Sequence, residues 1–355
     1  MNLVGLLVLL VLLFRLFLNA FNEGSNRRHR VENTFCWISY IAIVLLAAFR
    51  GITVGADTAY YLNDYLDVAS MSFSEIADRF EGYLGYYFLS KLFSLAGFPH
   101  YVWFGFLEAV FLSAISRFIN KYSSDRLYSI ILFLVTGLFA FSLAGLKQTL
   151  AMTLLLHGFL CFVERRYTIS VILVVLTYFT HPGALPALIL FFLYFIKDKK
   201  YFSVVVIAGI LLIWLGDLLL VSTFVSLSGN EHYELYLEEN SSYSMSTLIL
   251  YILMILCTVP YLKRYLKTSG FAKVEFSGSL FVCAFQYLAS YSPSLFRLAL
   301  VFIPFLIVYV PNSFEASRKN ANNSTWLLKT LALLGPIVFY LYASRDFVYV
   351  FQWPF

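Results

Sequence analysis

The side chains able to do chemistry in this chain are few, because 61% of it is hydrophobic and only 13% charged. The densest group is Arg50-Gly-Ile-Thr-Val-Gly-Ala-Asp57-Thr58-Ala-Tyr60, where a cation and a carboxylate are joined through two glycines at the end of an apolar run. Glycines permit sharp turns and close ligand approach. Asp is a strong N-cap, so Asp57-Thr58 is expected to open a short helix through Tyr65. Lys147-Gln148 and His181-Pro182-Gly183 interrupt other apolar runs, Arg297 lies just inside a third, and Glu81 opens Glu81-Gly-Tyr83-Leu-Gly-Tyr86. A cation at such a depth is costly unless it faces a partner or a wet cavity, which makes Lys147 and Arg297 functional candidates. Together with Arg50 they suit a diphosphate, arginine binding it bidentately and lysine as a point charge. Asp57, Glu81 and His181 are the groups able to take a proton. Each also has a structural reading: Arg50 as a snorkelling anchor, His181 as an interfacial residue, the tyrosines as an interfacial belt. No Walker, HExxH, GxSxG or DxD pattern is present, so neither nucleotide nor metal chemistry is indicated.

The elements that must hold these residues are membrane helices. Repeated apolar runs approach the roughly 20 residues needed to cross about 30 Å of hydrocarbon. Internal bonding of the backbone in lipid favours helices, and strand alternation is absent. Runs near 3–20, 34–50, 101–118, 127–143, 149–164, 168–180, 184–197, 202–225, 246–262, 275–290, 295–311 and 326–343 predict an all-α, polytopic integral membrane protein with about twelve spans. The chain 1–355 reads as one transmembrane domain without repeats. Its first run reads as a retained span rather than a signal peptide. The four cysteines lie in apolar runs without CxxC spacing and read as small hydrophobes. His157 and Gln286 are expected to bond between helices, and Glu108 to pair with Lys91.

Loop charge sets the sides. Arg27, Arg28 and Arg30, Arg117, Lys121 and Arg126, Arg165 and Arg166, Lys197 to Lys200, Lys263 to Lys267, and Arg318 with Lys319 mark the cytoplasmic face. The long connections 51–83 and 226–245 are acidic, rich in aromatics and expected to be functional outer loops. These marks alternate only if the amphiphilic segment 84–98 does not cross. It is therefore predicted to dip into the membrane and return, or to lie along its surface, with both termini periplasmic. A thirteen-span arrangement breaks the charge rule once. In this topology Arg50 to Tyr60, Glu81, Lys147, His181 and Arg297 all reach the outer face.

Arg50-Gly51, Val54-Gly55-Ala-Asp57-Thr58 and Tyr61, then Glu81-Gly-Tyr83, Lys147-Gln148 and His181 closely resemble, in order and spacing, the EpsG-like group of Wzy-type polysaccharide polymerases. One departure is Lys147-Gln148, where that group usually carries Arg-Gln. The resemblance implies a bacterial inner-membrane enzyme of O-antigen, capsule or exopolysaccharide assembly. Such an enzyme polymerises oligosaccharide repeat units linked to undecaprenyl diphosphate at the periplasmic face, without metal or other cofactor. It further implies Asp57 as first choice of base, with Glu81 and His181 behind it, and Arg50, Lys147 and Arg297 on the diphosphate. Thr58, Tyr60, Tyr61, Tyr83 and Gln148 are implied to contact substrate. Implied partners are membrane lipids, a chain-length regulator and a flippase, with no nucleic acid. An O-antigen ligase would use the same donor but carry a larger late outer domain. A flippase or transporter would show repeats and mid-membrane polar residues.

Overall fold

In a computed structural model, residues 3–20, 25–215, 242–290, 295–316, 323–344 and 350 are described. Every regular element among them is helical, as the hydropathy pattern predicts. The chain divides into two compact units, Met1–Leu185 with Tyr340–Phe355, and Pro186–Phe339.

The first unit contains α1 (Leu3–Ala20), α2 (Ser25–Ala48), α3 (Thr58–Ser70), α4 (Phe73–Arg79), α5 (Leu84–Leu95), α6 (His100–Tyr122), α7 (Arg126–Val135), α8 (Leu138–Ala144), α9 (Leu146–Val163) and α10 (Tyr167–Thr180). Its centre is α6, which packs against α2 and α9, while α9 packs antiparallel to α10. Trp103, Phe104, Phe111, Ile115 and Phe118 of α6 are fully buried. Arg15 of α1 forms a two-pronged ion pair with Asp125 (2.7 Å at its shortest), whose other oxygen caps α7 by accepting from the Tyr128 N–H. The outward faces of α1, α2 and α10 expose Leu9, Leu13, Leu16, Trp37, Ile41, Leu45, Val171, Val175 and Phe179. Apolar surface on that scale belongs in lipid rather than water, and the chain is a multi-pass membrane protein.

Among the described residues, four helices, Arg30–Ala48, His100–Tyr122, Leu146–Val163 and Asn323–Ala343, are long and apolar enough to cross a membrane, or six spans if each of two bent pairs counts as one. The α7–α8 pair bends by 51° at Gly137, whose φ of 85° favours glycine. Among the described residues the apolar runs correspond to fewer long helices because some are realised as short ones: α10 has 14 residues, or about 21 Å of rise.

The acidic connection 51–83 is not an irregular loop. It carries α3 and α4, the latter started by a capping box in which Ser72 and Glu75 bond each other's backbone N–H. The other expected outer loop, 226–245, with Tyr233 and Tyr236, lies almost wholly outside the described residues. Segment 84–98 forms the 12-residue α5, about 18 Å long and too short to cross. It lies against α3, α4 and α10 and ends in a turn at Gly97 (φ 75°) before Pro99. Lys91 does not pair with Glu108. Its ammonium is buried and donates to the Ala69 carbonyl at 2.9 Å, which satisfies it on α3. His157 does bond between helices, to Ser113 of α6 at 3.0 Å.

In the second unit, helices Phe202–Leu215, Ser242–Leu256 and Ile303–Glu315 pack around Gly270–Leu288. Gly278 admits the Phe305 side chain, whose Cβ an added Cβ would approach to 2.7 Å. The buried Glu275 carboxylate accepts from the Tyr265 hydroxyl and from Asn312 Nδ2.

Candidate functional site

The stretch after α2 is folded into a compact knot by Arg50. Its Nη1 donates to the Ala47 carbonyl at 2.7 Å, satisfying a carbonyl that the end of α2 leaves without an intrahelical partner. Its Nε donates to Thr58 Oγ1 at 3.3 Å, and its guanidinium lies 4.5 Å from the centre of the Phe104 ring. Thr58 Oγ1 in turn donates to the Val54 carbonyl. Gly55 has φ 87°, and a Cβ there would stand 2.6 Å from the Leu143 carbonyl oxygen and 2.9 Å from Thr58 Oγ1, so only glycine fits. Gly51 N–H donates to the Val350 carbonyl at 2.7 Å. Arg50 is 4% exposed, which excludes the snorkelling reading. Asp57 takes the N-cap position of α3, but its side chain makes no capping bond. The expected helix is there, and the carboxylate stands half-buried beside its start.

A second cluster forms around Lys147. Lysine in the first turn of a helix opposes the helix dipole, so its placement on α9 needs compensation, and tyrosines supply it. The ammonium lies 4.7 Å from the ring centre of Tyr83, 5.1 Å from Tyr87, 5.3 Å from Tyr60 and 5.5 Å from Tyr61. Ring faces hold cations by about 0.5–2 kcal/mol each, more when desolvated. Nζ also donates to the Tyr87 oxygen at 3.0 Å, and the Tyr87 hydroxyl donates to Asp64, which is 5% exposed. Helical spacing makes this possible. Tyr60, Tyr61 and Asp64 share one face of α3, and Tyr83 and Tyr87 stand one turn apart at the start of α5. Burial first, and the Asp64 carboxylate second, push the Tyr87 phenol well above its ordinary range, so it remains a hydroxyl that can accept from lysine while donating to aspartate. Phe80 stacks on the other side of Tyr87, ring centres 3.7 Å apart.

His181 joins this cluster from α10. Gly85 of α5 lets the end of α10 approach: a Cβ there would be 2.6 Å from Thr180 Oγ1. The His181 ring comes within 5.3 Å of Tyr83. His181 Nδ1 accepts the Gly183 N–H at 3.1 Å, which leaves the neutral ring's proton on Nε2. In this arrangement His181 offers a donor, and its basic nitrogen is already used.

The Arg50–Tyr61 stretch, Tyr83, Lys147 and His181, predicted to converge, are thus joined through direct contacts within the first unit. Glu81 is exposed in the turn before Tyr83, and Gln148 is buried beside Lys147 on α9. Arg297 belongs to the second unit, half-buried on the short helix Phe296–Leu300. Asp64 and Tyr87 escaped the sequence reading as site residues. Their spacing from Tyr60, Tyr61 and Tyr83 is ordinary for a tyrosine-rich acidic segment, and it is the packing of α3 against α5 that brings them together.

The opposite end of the same helices is differently charged. Glu164, after the last residue of α9, accepts from Arg117 and from Lys121 near the end of α6, both at 2.7 Å. Lys121 and Arg117 hold the Glu164 carboxyl below its usual range. This ion cluster lies at the far end of α9 (Leu146–Val163) from Lys147, about 26 Å away.

The sequence profile of the EpsG family matches residues 33–353, nearly the whole chain. No curated protein and no solved structure matches.

Proposed function

The chain belongs to the EpsG family, whose members are polysaccharide polymerase-like membrane proteins, and from that membership we propose that it polymerises oligosaccharide repeat units carried on undecaprenyl diphosphate. The observation that carries the proposal is the joining of Arg50–Tyr61, Tyr83, Lys147 and His181 at one end of the first unit, with the Arg117–Lys121–Glu164 cluster at the other end of α6 and α9. Positive loops favour the cytoplasm, so the reading puts the tyrosine-ringed lysine at the periplasmic face of the bacterial inner membrane. About twelve apolar segments and periplasmic termini complete this topology.

In the proposed reaction a sugar hydroxyl of one lipid-linked unit attacks the anomeric carbon of the growing chain. The carbon–oxygen bond to the diphosphate breaks, the lipid diphosphate leaves, and the hydroxyl proton passes to a base. Asp57 is the base the geometry favours, because its carboxylate is held at the start of α3 and is not used for capping. Glu81 stands further into solvent, and the basic nitrogen of His181 is engaged by Gly183. Lys147 stabilises the charge gathering on the diphosphate, a role in which a preorganised cation acts most strongly away from water. Arg50 fixes the loop that presents Asp57 and adds positive charge. Arg297 enters the proposal by its charge alone. Half-exposed Tyr60 and neighbouring Tyr83 supply faces for sugar rings, Gln148 and Thr58 are assigned to the same substrate site, and α5, lying along the membrane, borders the path of the lipid tail. Metal is given no part in this reaction, and a chain-length regulator and a flippase are its expected partners.

The test is replacement in the native host. Asp57→Asn and Lys147→Ala are each expected to leave the membrane level of the protein unchanged while long glycan chains vanish from a gel. A normal chain ladder in both variants would refute the proposal.

A further inference from the structure

The surroundings of Lys147 are shaped for an ammonium. Four tyrosine rings stand 4.7–5.5 Å from Nζ, and one of them, Tyr87, also accepts a hydrogen bond from it at 3.0 Å. A planar guanidinium is larger and presents a rigid fork. It would displace a ring or abandon the Tyr87 oxygen. Tyr87 is itself fixed. Its hydroxyl is committed to the buried Asp64 carboxylate, Phe80 stacks on its face, and Asp64 is held on α3, one turn from Tyr60 and Tyr61. With its proton directed at Asp64, the Tyr87 oxygen can meet Lys147 only as an acceptor.

We propose that Asp64 and Tyr87 are positioning residues that aim the Lys147 ammonium at an anionic diphosphate headgroup, and that this site is specific for lysine. The chain of bonds runs from Lys147 to Tyr87 to Asp64, so the carboxylate fixes the tyrosine that in turn fixes the lysine. The ammonium is thereby held among the four tyrosine rings. Neither Asp64 nor Tyr87 touches the reacting atoms in this scheme. The inference rests on the proposed polymerase reading for its choice of headgroup.

Its test is binding as well as turnover, so that the two readings can fail separately. Farnesyl diphosphate is titrated into the purified, detergent-solubilised full chain, with inorganic pyrophosphate as the tail-free control. Tyr87→Phe, which removes only the hydroxyl, is expected to weaken farnesyl diphosphate binding about tenfold, the scale of one hydrogen bond to a charged group. Asp64→Asn, which still offers an oxygen to Tyr87, should bind more tightly than Asp64→Ala. Lys147→Arg should bind as poorly as Lys147→Ala, although it keeps the charge. Melting temperatures identify any variant that has lost its fold, and the Asn and Phe substitutions are the mildest available. In a polymerisation assay the same variants should lower kcat more than they raise KM, because the charge on the leaving group grows in the transition state. Wild-type affinity in Tyr87→Phe and Lys147→Arg overturns the inference, as does a wild-type chain that binds no farnesyl diphosphate. Lysine-dependent binding in a protein that makes no polymer would instead overturn the polymerase reading and leave the headgroup site standing.

Discussion

Residue types that looked isolated in the sequence act in pairs. Arg50 closes α2 onto α3 through Ala47 and Thr58, so its first effect is to build the loop that presents Asp57. Replacing it is therefore expected to cost both stability and product. Thr58→Val, which removes the hydroxyl that accepts from Arg50 and donates to Val54, should lower the melting temperature by an amount worth about 1–3 kcal/mol; an unchanged melting curve would show that the knot is not held there. Gly55→Ala is expected to be more damaging. The new Cβ meets the Leu143 carbonyl at 2.6 Å, and φ is 87°, a backbone region that costs an L residue of the order of 1–3 kcal/mol. Membrane level measured by quantitative blotting is the check. Arg50, Asp57, Lys147 and His181 were legible because each interrupts an apolar background. Asp64 and Tyr87 were not, because an acid and a tyrosine in an acidic, tyrosine-rich segment carry no local mark. Only the packing of α3 against α5 reveals them.

At the scale of elements, the short helices assemble the site and the long ones separate it from the basic face. α5 is brought to α10 by Gly85, and this close approach carries His181 to Tyr83. Gly85→Val is predicted to part the two helices. Activity should fall while the far end of the bundle, at Glu164, is undisturbed; a variant with full activity would remove α10 from the account. The ion cluster at that far end has its own signature. Glu164 is held below the ordinary carboxylate range by Lys121 and Arg117. A depressed folded-state pKa contributes stability above the unfolded value and loses it as pH falls through the folded one. Melting temperatures of wild type and Glu164→Gln should therefore differ most near neutral pH and converge in acid below the usual carboxylate range. Both side chains facing Glu164 are partly exposed, so the difference is expected to be small. A gap that widens in acid would contradict the assignment. Helix class was readable from hydropathy, and the shortness of the helix in 84–98 fits the expectation drawn from loop charge. The breaks were less so: the short run 168–180 matches α10, but the bend at Gly137 does not announce itself within a continuous apolar run.

For the whole molecule, the proposed function requires a sided membrane enzyme. Sidedness is open to a labelling test in a chain freed of its four native cysteines. An impermeant maleimide added outside should modify Glu81→Cys in intact cells and reach Lys121→Cys only after the membrane is broken. Labelling in the reverse order would invert the topology. The central claim, that the EpsG-family chain joins lipid-linked repeat units, is tested most directly by a reconstituted reaction. Purified protein in liposomes is given undecaprenyl-diphosphate-linked repeat units, and the products are resolved by size. The account predicts a ladder of polymers that is lost with Asp57→Asn and Lys147→Ala. A single transfer to another acceptor, or no product from protein shown to be folded, would contradict it.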